Sequence, residues 1–168
     1  ILANLWNTPE QNQWKTGALA IGSSEACMLG GVAAWLRWKE RREAQGKPTD
    51  KPNFIISTGY QVVWEKFADL WQIEMRTVPL TPDHITLDPK AVIDLCDENT
   101  ICVVPTFGVT YTGQYEYPEP VCKALDKLAA EGGPDVDVHV DAASGGFLAP
   151  FTAPDIPFDF RLPRIKSI

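Results

Sequence analysis

The sequence predicts an α/β protein with a mainly parallel sheet that carries helices on both faces. Segments with apolar residues at helical spacing alternate along the chain with short apolar runs of strand length. The strand runs are continuously apolar, which is typical of strands that are buried on both faces. We therefore expect a parallel sheet between two helical layers, with any ligand bound outside the carboxyl ends of the strands.

The first half of the chain contains two predicted helices and two predicted strands. Residues 23–45 should form a long helix, because apolar residues recur at three- and four-residue intervals and a charged run ends the segment before a glycine. A strand is predicted at 54–57, and a second helix begins at Gln61. Residues 73–80 alternate as a strand does and end at a threonine-proline step.

The second half repeats this alternation. Asp88 has the position of a helix N-cap, with proline at the first helical position after it. Strands are predicted at 101–104 and 136–140, with another helix between them. The proline-rich stretches around Pro118 and Pro150 are short enough to be loops.

Composition excludes several classes of protein. The 168 residues are 45% hydrophobic, which suits one domain, and the net charge of −7 argues against nucleic-acid binding. No stretch approaches the roughly 20 apolar residues of a membrane span, and the start lacks the order of a signal peptide. We expect a soluble, cytoplasmic protein.

No metal site is expected. The four cysteines form no CxxC pair and lie in apolar stretches, so we interpret them as buried free thiols. His84 and His139 have no metal-ligand spacing with each other or with the cysteines, and neither accompanies a nucleophile pattern, so both are interpreted as structural.

Two motifs suggest an anion site and a site for a protonated ring. In 22–26, a glycine and two serines directly precede the long helix, where backbone N–H groups and hydroxyls would converge on an anion. The alternative is that Ser23 only caps the helix. In 138–146, a buried strand delivers Asp141, whose carboxylate could bind a protonated ring nitrogen; alternatively, this aspartate only begins a turn.

Two further motifs are less specific. The segment 105–113 follows a strand and contains three threonines that can donate to a phosphate or carboxylate, although threonine-rich turns are common in loops that bind nothing. Gln61 begins a helix directly after a strand. Its flat amide could lie over an aromatic cofactor, or it could simply cap the helix.

Together, 22–26, 105–113 and 139–146 resemble the glutamate decarboxylases, which belong to the pyridoxal-phosphate decarboxylases with an aminotransferase-type (fold type I) large domain. The likeness covers nearly the whole chain. It also includes stretches that are not generic features of the fold: 1–6, 46–53, 96–100 and 149–167.

The resemblance implies pyridoxal 5'-phosphate as cofactor and gives each site residue a role. Ser23 and Ser24 would bind the cofactor phosphate. Asp141 would pair with the pyridine nitrogen and act as the catalytic residue of this chain, and Ala143 would pack beneath the ring.

The other cofactor-binding residues implied lie on two loops. Thr106 and Thr110 belong to the threonine-rich segment, and Thr110 would contact the cofactor. Gln61 stands where many decarboxylases of the wider group carry a ring-stacking histidine, which favours glutamate over aromatic substrates.

The implied activity is a carboxy-lyase reaction, the decarboxylation of L-glutamate to 4-aminobutyrate and CO₂, in a homo-oligomer. Two alternatives remain open: a decarboxylase or lyase for another amino acid, and a non-catalytic α/β binding module. The GxGxxG and GxxxxGK[ST] patterns of nucleotide-binding modules are absent.

The resemblance also implies that 1–168 is a truncated large domain. The family continues past Ile168 into a segment whose lysine holds the cofactor as a Schiff base, and it has an N-terminal segment and a small C-terminal domain in addition. We therefore expect these 168 residues to be inactive by themselves.

Overall fold

A computed structural model describes residues 1–9 and 17–168. Its centre is a five-stranded sheet in the order β2-β1-β3-β4-β5, and every neighbouring pair of strands is parallel. The strands are β1 (Asn53–Ser57), β2 (Glu74–Val78), β3 (Thr100–Val104), β4 (Asp137–His139) and β5 (Ile165–Ser167).

Helices precede or connect the strands. The described helices are α1 (Leu2–Leu5), α2 (Ser23–Ala44), α3 (Val63–Trp71), α4 (Pro89–Leu95), α5 (Pro118–Ala130) and α6 (Ala149–Thr152), with a 3-10 turn at Gly145–Phe147. Asp88 caps α4 as predicted, because its Oδ1 accepts a hydrogen bond from the Lys90 backbone N–H at 3.0 Å. In the described part of the chain, none of these helices combines the length and hydropathy that a transmembrane segment needs.

The core has two layers, one on each face of the sheet. Phe54 and Ile56 of β1 pack with α2 and α3. Ile55 of the same strand points the other way and packs with α4 and α5, as does Val103 of β3. The three central strands β1, β3 and β4 thus bury both faces, whereas the edge strands β2 and β5 are partly exposed. The predicted fold class is confirmed.

The prediction of loops around Pro118 and Pro150 was wrong. Pro118 is the first residue of the 13-residue helix α5, where a missing backbone N–H costs nothing, and Pro150 lies in the first turn of α6. All four cysteines are free thiols, as expected, although Cys96 is only half-buried. No cluster of metal ligands occurs among the residues described.

Helix α2 approaches helix α3 closely at Gly31, and this contact leads to a testable prediction. A Cβ at Gly31 would lie 2.7 Å from Cζ of Phe67, whose ring is held by Phe54 and Trp64. We expect Gly31→Ala to destabilise the protein by about 1–2 kcal/mol, because the overpacking cost exceeds the roughly 1 kcal/mol gained in helix propensity. Urea unfolding of the full-length protein measures the change.

A double variant tests the cause. Phe67→Leu removes the ring atoms that the new methyl group would meet, so Gly31→Ala should cost less in the Phe67→Leu background than in the wild type. An unchanged unfolding midpoint in the single variant contradicts the prediction.

Candidate functional site

The predicted site residues lie in loops at one edge of the sheet. The segments that follow β1, β3 and β4 carry Gln61, the threonine-rich loop and Asp141 respectively. Because the three strands are parallel, their carboxyl ends meet at the same edge. The predicted motifs therefore share one end of the fold.

Asp141 is held at this edge by backbone pairing that continues beyond the strands. Its N–H donates to the Pro105 carbonyl at 3.0 Å, and its carbonyl accepts from the Phe107 N–H at 2.8 Å. The residue is only 6% exposed. A buried strand therefore does deliver a buried carboxylate at its carboxyl end, as the sequence predicted.

Neutral donors surround the carboxylate of Asp141. Its Oδ2 accepts a hydrogen bond from Trp64 Nε1 at 3.0 Å and lies 4.0 Å from Cys27 Sγ. Within the described ranges, its Oδ1 receives only a long contact, 3.5 Å, from the Ala143 backbone N–H. Within 1–9 and 17–168, no lysine, arginine or histidine forms an ion pair with this carboxylate.

Cys27 and His139, two ionisable groups beside Asp141, are neutral near pH 7. Burial raises the pKa of the Cys27 thiol to about 12, and the charge of Asp141 adds to that effect. Burial lowers the pKa of His139 to about 4; the charge of Asp141 opposes this shift, and that of Arg37 favours it. A buried carboxylate without a cation is costly, so this position suits a ligand that brings a positive charge.

Gln61 and Thr110 join two of the loops. The Gln61 Nε2 donates to Thr110 Oγ1 at 2.5 Å, although the residues are 49 positions apart. Gln61 is half-buried and Thr110 is exposed. The alternative that the Gln61 side chain caps α3 was wrong, because α3 has no side-chain cap.

The start of α2 presents Ser23 and Ser24 to solvent. Gly22 is the N-cap in extended conformation and no side chain caps this helix, so the alternative role of Ser23 as the cap was wrong. Both hydroxyls are exposed at the N-terminus of a 22-residue helix, whose free N–H groups and dipole favour an anion. Cys27, one turn further on, connects this terminus to Asp141.

Thr106 differs from Thr110, although both belong to the predicted site. Thr106 is buried, and its Oγ1 has no hydrogen-bond partner in the part of the chain that the structure describes. Its backbone N–H donates to Glu116 Oε2 at 2.7 Å. Burial raises the pKa of Glu116, against hydrogen bonds that favour its carboxylate. The Thr106 hydroxyl therefore lies within the loop's interior rather than at its surface.

The loops that follow β3 and β4 are pressed together at glycines. Gly108 has φ +116°, a conformation that favours glycine, and a Cβ there would lie 2.9 Å from the backbone nitrogen of Gly145. The Gly145 N–H donates to the Phe107 carbonyl at 2.8 Å. This contact fixes the threonine-rich loop against the segment that carries Asp141 and the exposed Ala143.

These residues fit pyridoxal phosphate. The cofactor has an anionic phosphate, a flat ring and a ring nitrogen that carries a positive charge when protonated. The helix N-terminus with Ser23 and Ser24 suits the phosphate, and the uncompensated buried carboxylate of Asp141 suits the ring nitrogen. Ala143 is exposed and too small to obstruct a flat ring.

Sequence reasoning missed three residues of this site. Trp64 and Cys27 contact Asp141, and Glu116 anchors the threonine-rich loop. The sequence gives one usable signal: a tryptophan in the first turn of the helix after β1 needs a partner for its N–H if it is buried. Glu116 resembles a surface charge in its polar loop, so no local signal identifies it.

The fold and site define a pyridoxal-phosphate-binding domain of fold type I. Comparison with known proteins agrees: a family model described as "Pyridoxal-dependent decarboxylase conserved domain" matches residues 1–168. The chain therefore belongs to the pyridoxal-dependent decarboxylase family.

Individual relatives agree with this family. The chain is 55% identical to a glutamate decarboxylase of Aliivibrio fischeri, over all of this chain and 36% of that protein. The solved glutamate decarboxylase of Lactobacillus brevis superposes with a TM-score of 0.87 at 42% identity, over 98% of this chain and 37% of that one. The solved sphingosine-1-phosphate lyase of Burkholderia pseudomallei superposes with a TM-score of 0.73 at 30% identity, over 98% of this chain and 37% of that one.

The chain spans about a third of the length of the curated relatives that it matches, since the covered share of the first five is 34 to 36%.

Proposed function

We propose that the full-length protein decarboxylates L-glutamate to 4-aminobutyrate and CO₂ with pyridoxal 5'-phosphate. The observation that carries the proposal is Asp141, a buried carboxylate at the carboxyl edge of the sheet that is held by neutral donors and has no ion pair among the described residues. Such a group suits a protonated pyridine ring, which is the part of the cofactor that accepts electrons.

Each of the other predicted residues has a role in this proposal, either in binding the cofactor or in shaping the loops around it. Ser23 and Ser24, with the N-terminal amides of α2, hold the phosphate. The Gln61 amide would lie over the ring, where its bond to Thr110 would keep it in place. Ala143 leaves room beneath the ring, and Thr106 stabilises the loop that carries Thr110.

The proposed chemistry depends on the negative charge of the Asp141 carboxylate. When bound, pyridoxal phosphate supplies an electron sink for the bond that breaks at the substrate's α-carbon. The carboxylate of Asp141 would keep the ring nitrogen of the cofactor protonated, which would strengthen that sink. In the overall reaction the α-carboxylate would leave as CO₂, and a proton would take its place on the α-carbon.

We further propose that these residues are part of a larger cofactor-binding domain and that the protein is a cytoplasmic homo-oligomer. Phe147, Leu148 and Phe151 support the oligomer, because each is more than half exposed near the loop that carries Asp141. Large exposed apolar side chains in one region are typical of a surface that another subunit or domain covers.

The proposal is tested on the full-length protein. We expect purified protein with pyridoxal phosphate to show the absorbance of bound cofactor and to release 4-aminobutyrate from L-glutamate. L-Aspartate, one methylene shorter, is the matched control substrate and should react much more slowly. Bound cofactor without 4-aminobutyrate would overturn the substrate but keep the cofactor site. Absence of both would overturn the proposed function.

A lyase that acts on another amine is the second candidate. The 30% identity to a sphingosine-1-phosphate lyase over nearly the whole chain supports it. The higher identity to glutamate decarboxylases favours the first candidate. Cleavage of sphingosine-1-phosphate by protein that leaves L-glutamate unchanged would decide for the second.

A further inference from the structure

Trp64 makes a polar contact that the proposed function does not use. It lies in the first turn of α3 and is 0% exposed. Its Nε1 donates to Asp141 Oδ2 at 3.0 Å, across 77 positions of sequence. The bond therefore connects the helix after β1 to the carboxylate after β4.

The indole ring is held on three sides. Phe54 and Phe67 pack against it with ring centroids 5.7 and 5.9 Å away. The His139 ring packs edge-on against the indole, with ring centroids 5.3 Å apart. His139 is itself held by a hydrogen bond between its Nδ1 and Ser167 Oγ, 2.8 Å apart. Because the ring cannot turn in this packing, its N–H points at Oδ2 in a fixed direction.

Because of this bond, the two carboxylate oxygens of Asp141 have different surroundings. Trp64 and the protonated thiol of Cys27 occupy Oδ2. Among the described residues, Oδ1 has one long contact, from the Ala143 backbone, and is therefore the oxygen available to a ring nitrogen. Without the indole N–H, the carboxylate could rotate and present either oxygen.

Trp38 shows what an ordinary buried tryptophan does in the same fold. It is 3% exposed, and its Nε1 donates to the Glu98 carbonyl at 3.1 Å. That acceptor is a backbone group beyond α4, before β3 begins, at the opposite edge of the sheet. The two bonds are similar in length, but the bond of Trp38 is only partly buried, and only the bond of Trp64 ends on an ionisable side chain in the cofactor site.

We infer that Trp64 is a positioning residue, whose indole N–H holds Oδ2 of Asp141 so that Oδ1 is presented to the cofactor's ring nitrogen. The inference rests on the proposed cofactor site. It concerns a residue that acts through Asp141 and does not itself touch the substrate.

The test compares Trp64→Phe with Trp38→Phe in the full-length protein. Each variant loses one buried indole N–H and keeps an aromatic ring. We expect Trp64→Phe to raise the dissociation constant of pyridoxal phosphate by about tenfold or more, as loss of a hydrogen bond to a charged group implies. It should also shift the bound cofactor's absorbance and its dependence on pH. Trp38→Phe should leave both unchanged.

Kinetics provide a separate readout. We expect kcat of Trp64→Phe to fall about tenfold with little change in KM for the amino acid, because the indole does not touch the substrate. Equal effects of the two substitutions on cofactor binding, or an unchanged constant and spectrum in Trp64→Phe, would overturn the inference. If the wild-type protein binds no pyridoxal phosphate, it is the proposed function that fails.

A second variant removes the risk that Trp64→Phe does not fold. Trp64 alone is replaced by 3-benzothienylalanine, in which sulfur takes the place of the indole N–H and the ring shape is retained. We expect this protein to fold and to show the same weakened cofactor binding and shifted absorbance. If the protein with 3-benzothienylalanine binds pyridoxal phosphate as tightly as the wild type does, the inference is overturned.

Discussion

Asp141→Asn should lower kcat for L-glutamate by about a hundredfold or more, which is the magnitude found when an electrostatic partner of the reacting group is removed. Asparagine fills the same space and can still accept the hydrogen bond from Trp64. It has no charge, so it cannot keep a ring nitrogen protonated. The variant should therefore bind cofactor more weakly, with a changed absorbance, and react slowly. Steady-state release of 4-aminobutyrate measures the effect.

Asp137→Asn is the matched control, because Asp137 begins the strand after which Asp141 lies. It is also buried, and its Oδ2 accepts from Arg37 at 3.2 Å and from Arg41 at 3.0 Å. Its loss should lower the unfolding midpoint and leave kcat within about twofold of wild type, since it lies at the opposite edge of the sheet. If Asp141→Asn keeps more than a tenth of the wild-type kcat, the assigned role of Asp141 is wrong.

The sequence predicted those parts of the fold that local patterns specify. The strand at 136–140 and the aspartate after it were recognisable because three valines recur at every second position, the period of a β-strand. The cap at Asp88 was likewise local, because the side chain and its partner are two positions apart. Pro118 was misread because proline fits the first turn of a helix as well as a loop.

The contacts inside the site could not be predicted in the same way. Trp64 and Asp141 are 77 positions apart, and their contact depends on how α3 packs across the sheet. Thr106 and Thr110 look equivalent in the sequence. The fold separates them, because the chain turns at Gly108 with positive φ, so that one hydroxyl is buried and the other is exposed.

His139 should make the protein sensitive to mild acid. Burial lowers its pKa from 6.5 to about 4, so the folded protein excludes a proton that the unfolded chain binds between these values. The contribution of neutral His139 to the free energy of unfolding is fully present above pH 6.5 and is lost as the pH falls toward 4. It amounts to about 3 kcal/mol, of which about 2 kcal/mol should be lost between pH 7 and 5.

His139→Asn removes this titration while its amide can still bond to Ser167. We expect the variant to be less stable than wild type at pH 7, because it leaves space beside Trp64. Between pH 7 and 5, its free energy of unfolding should fall by about 2 kcal/mol less than that of the wild type. Urea unfolding of the cofactor-free, full-length protein at the two pH values gives this difference directly, and contributions from other groups cancel.

His84→Asn is the control for His139, since His84 is the other histidine of this chain and is exposed. It should change the loss of stability between pH 7 and 5 by less than about 0.5 kcal/mol, as expected of a surface substitution. An equal pH dependence in His139→Asn and wild type would mean that His139 accepts a proton in the folded protein. The ring would then carry a positive charge near Asp141, and the absence of a cation there, on which the proposed cofactor site depends, would no longer hold.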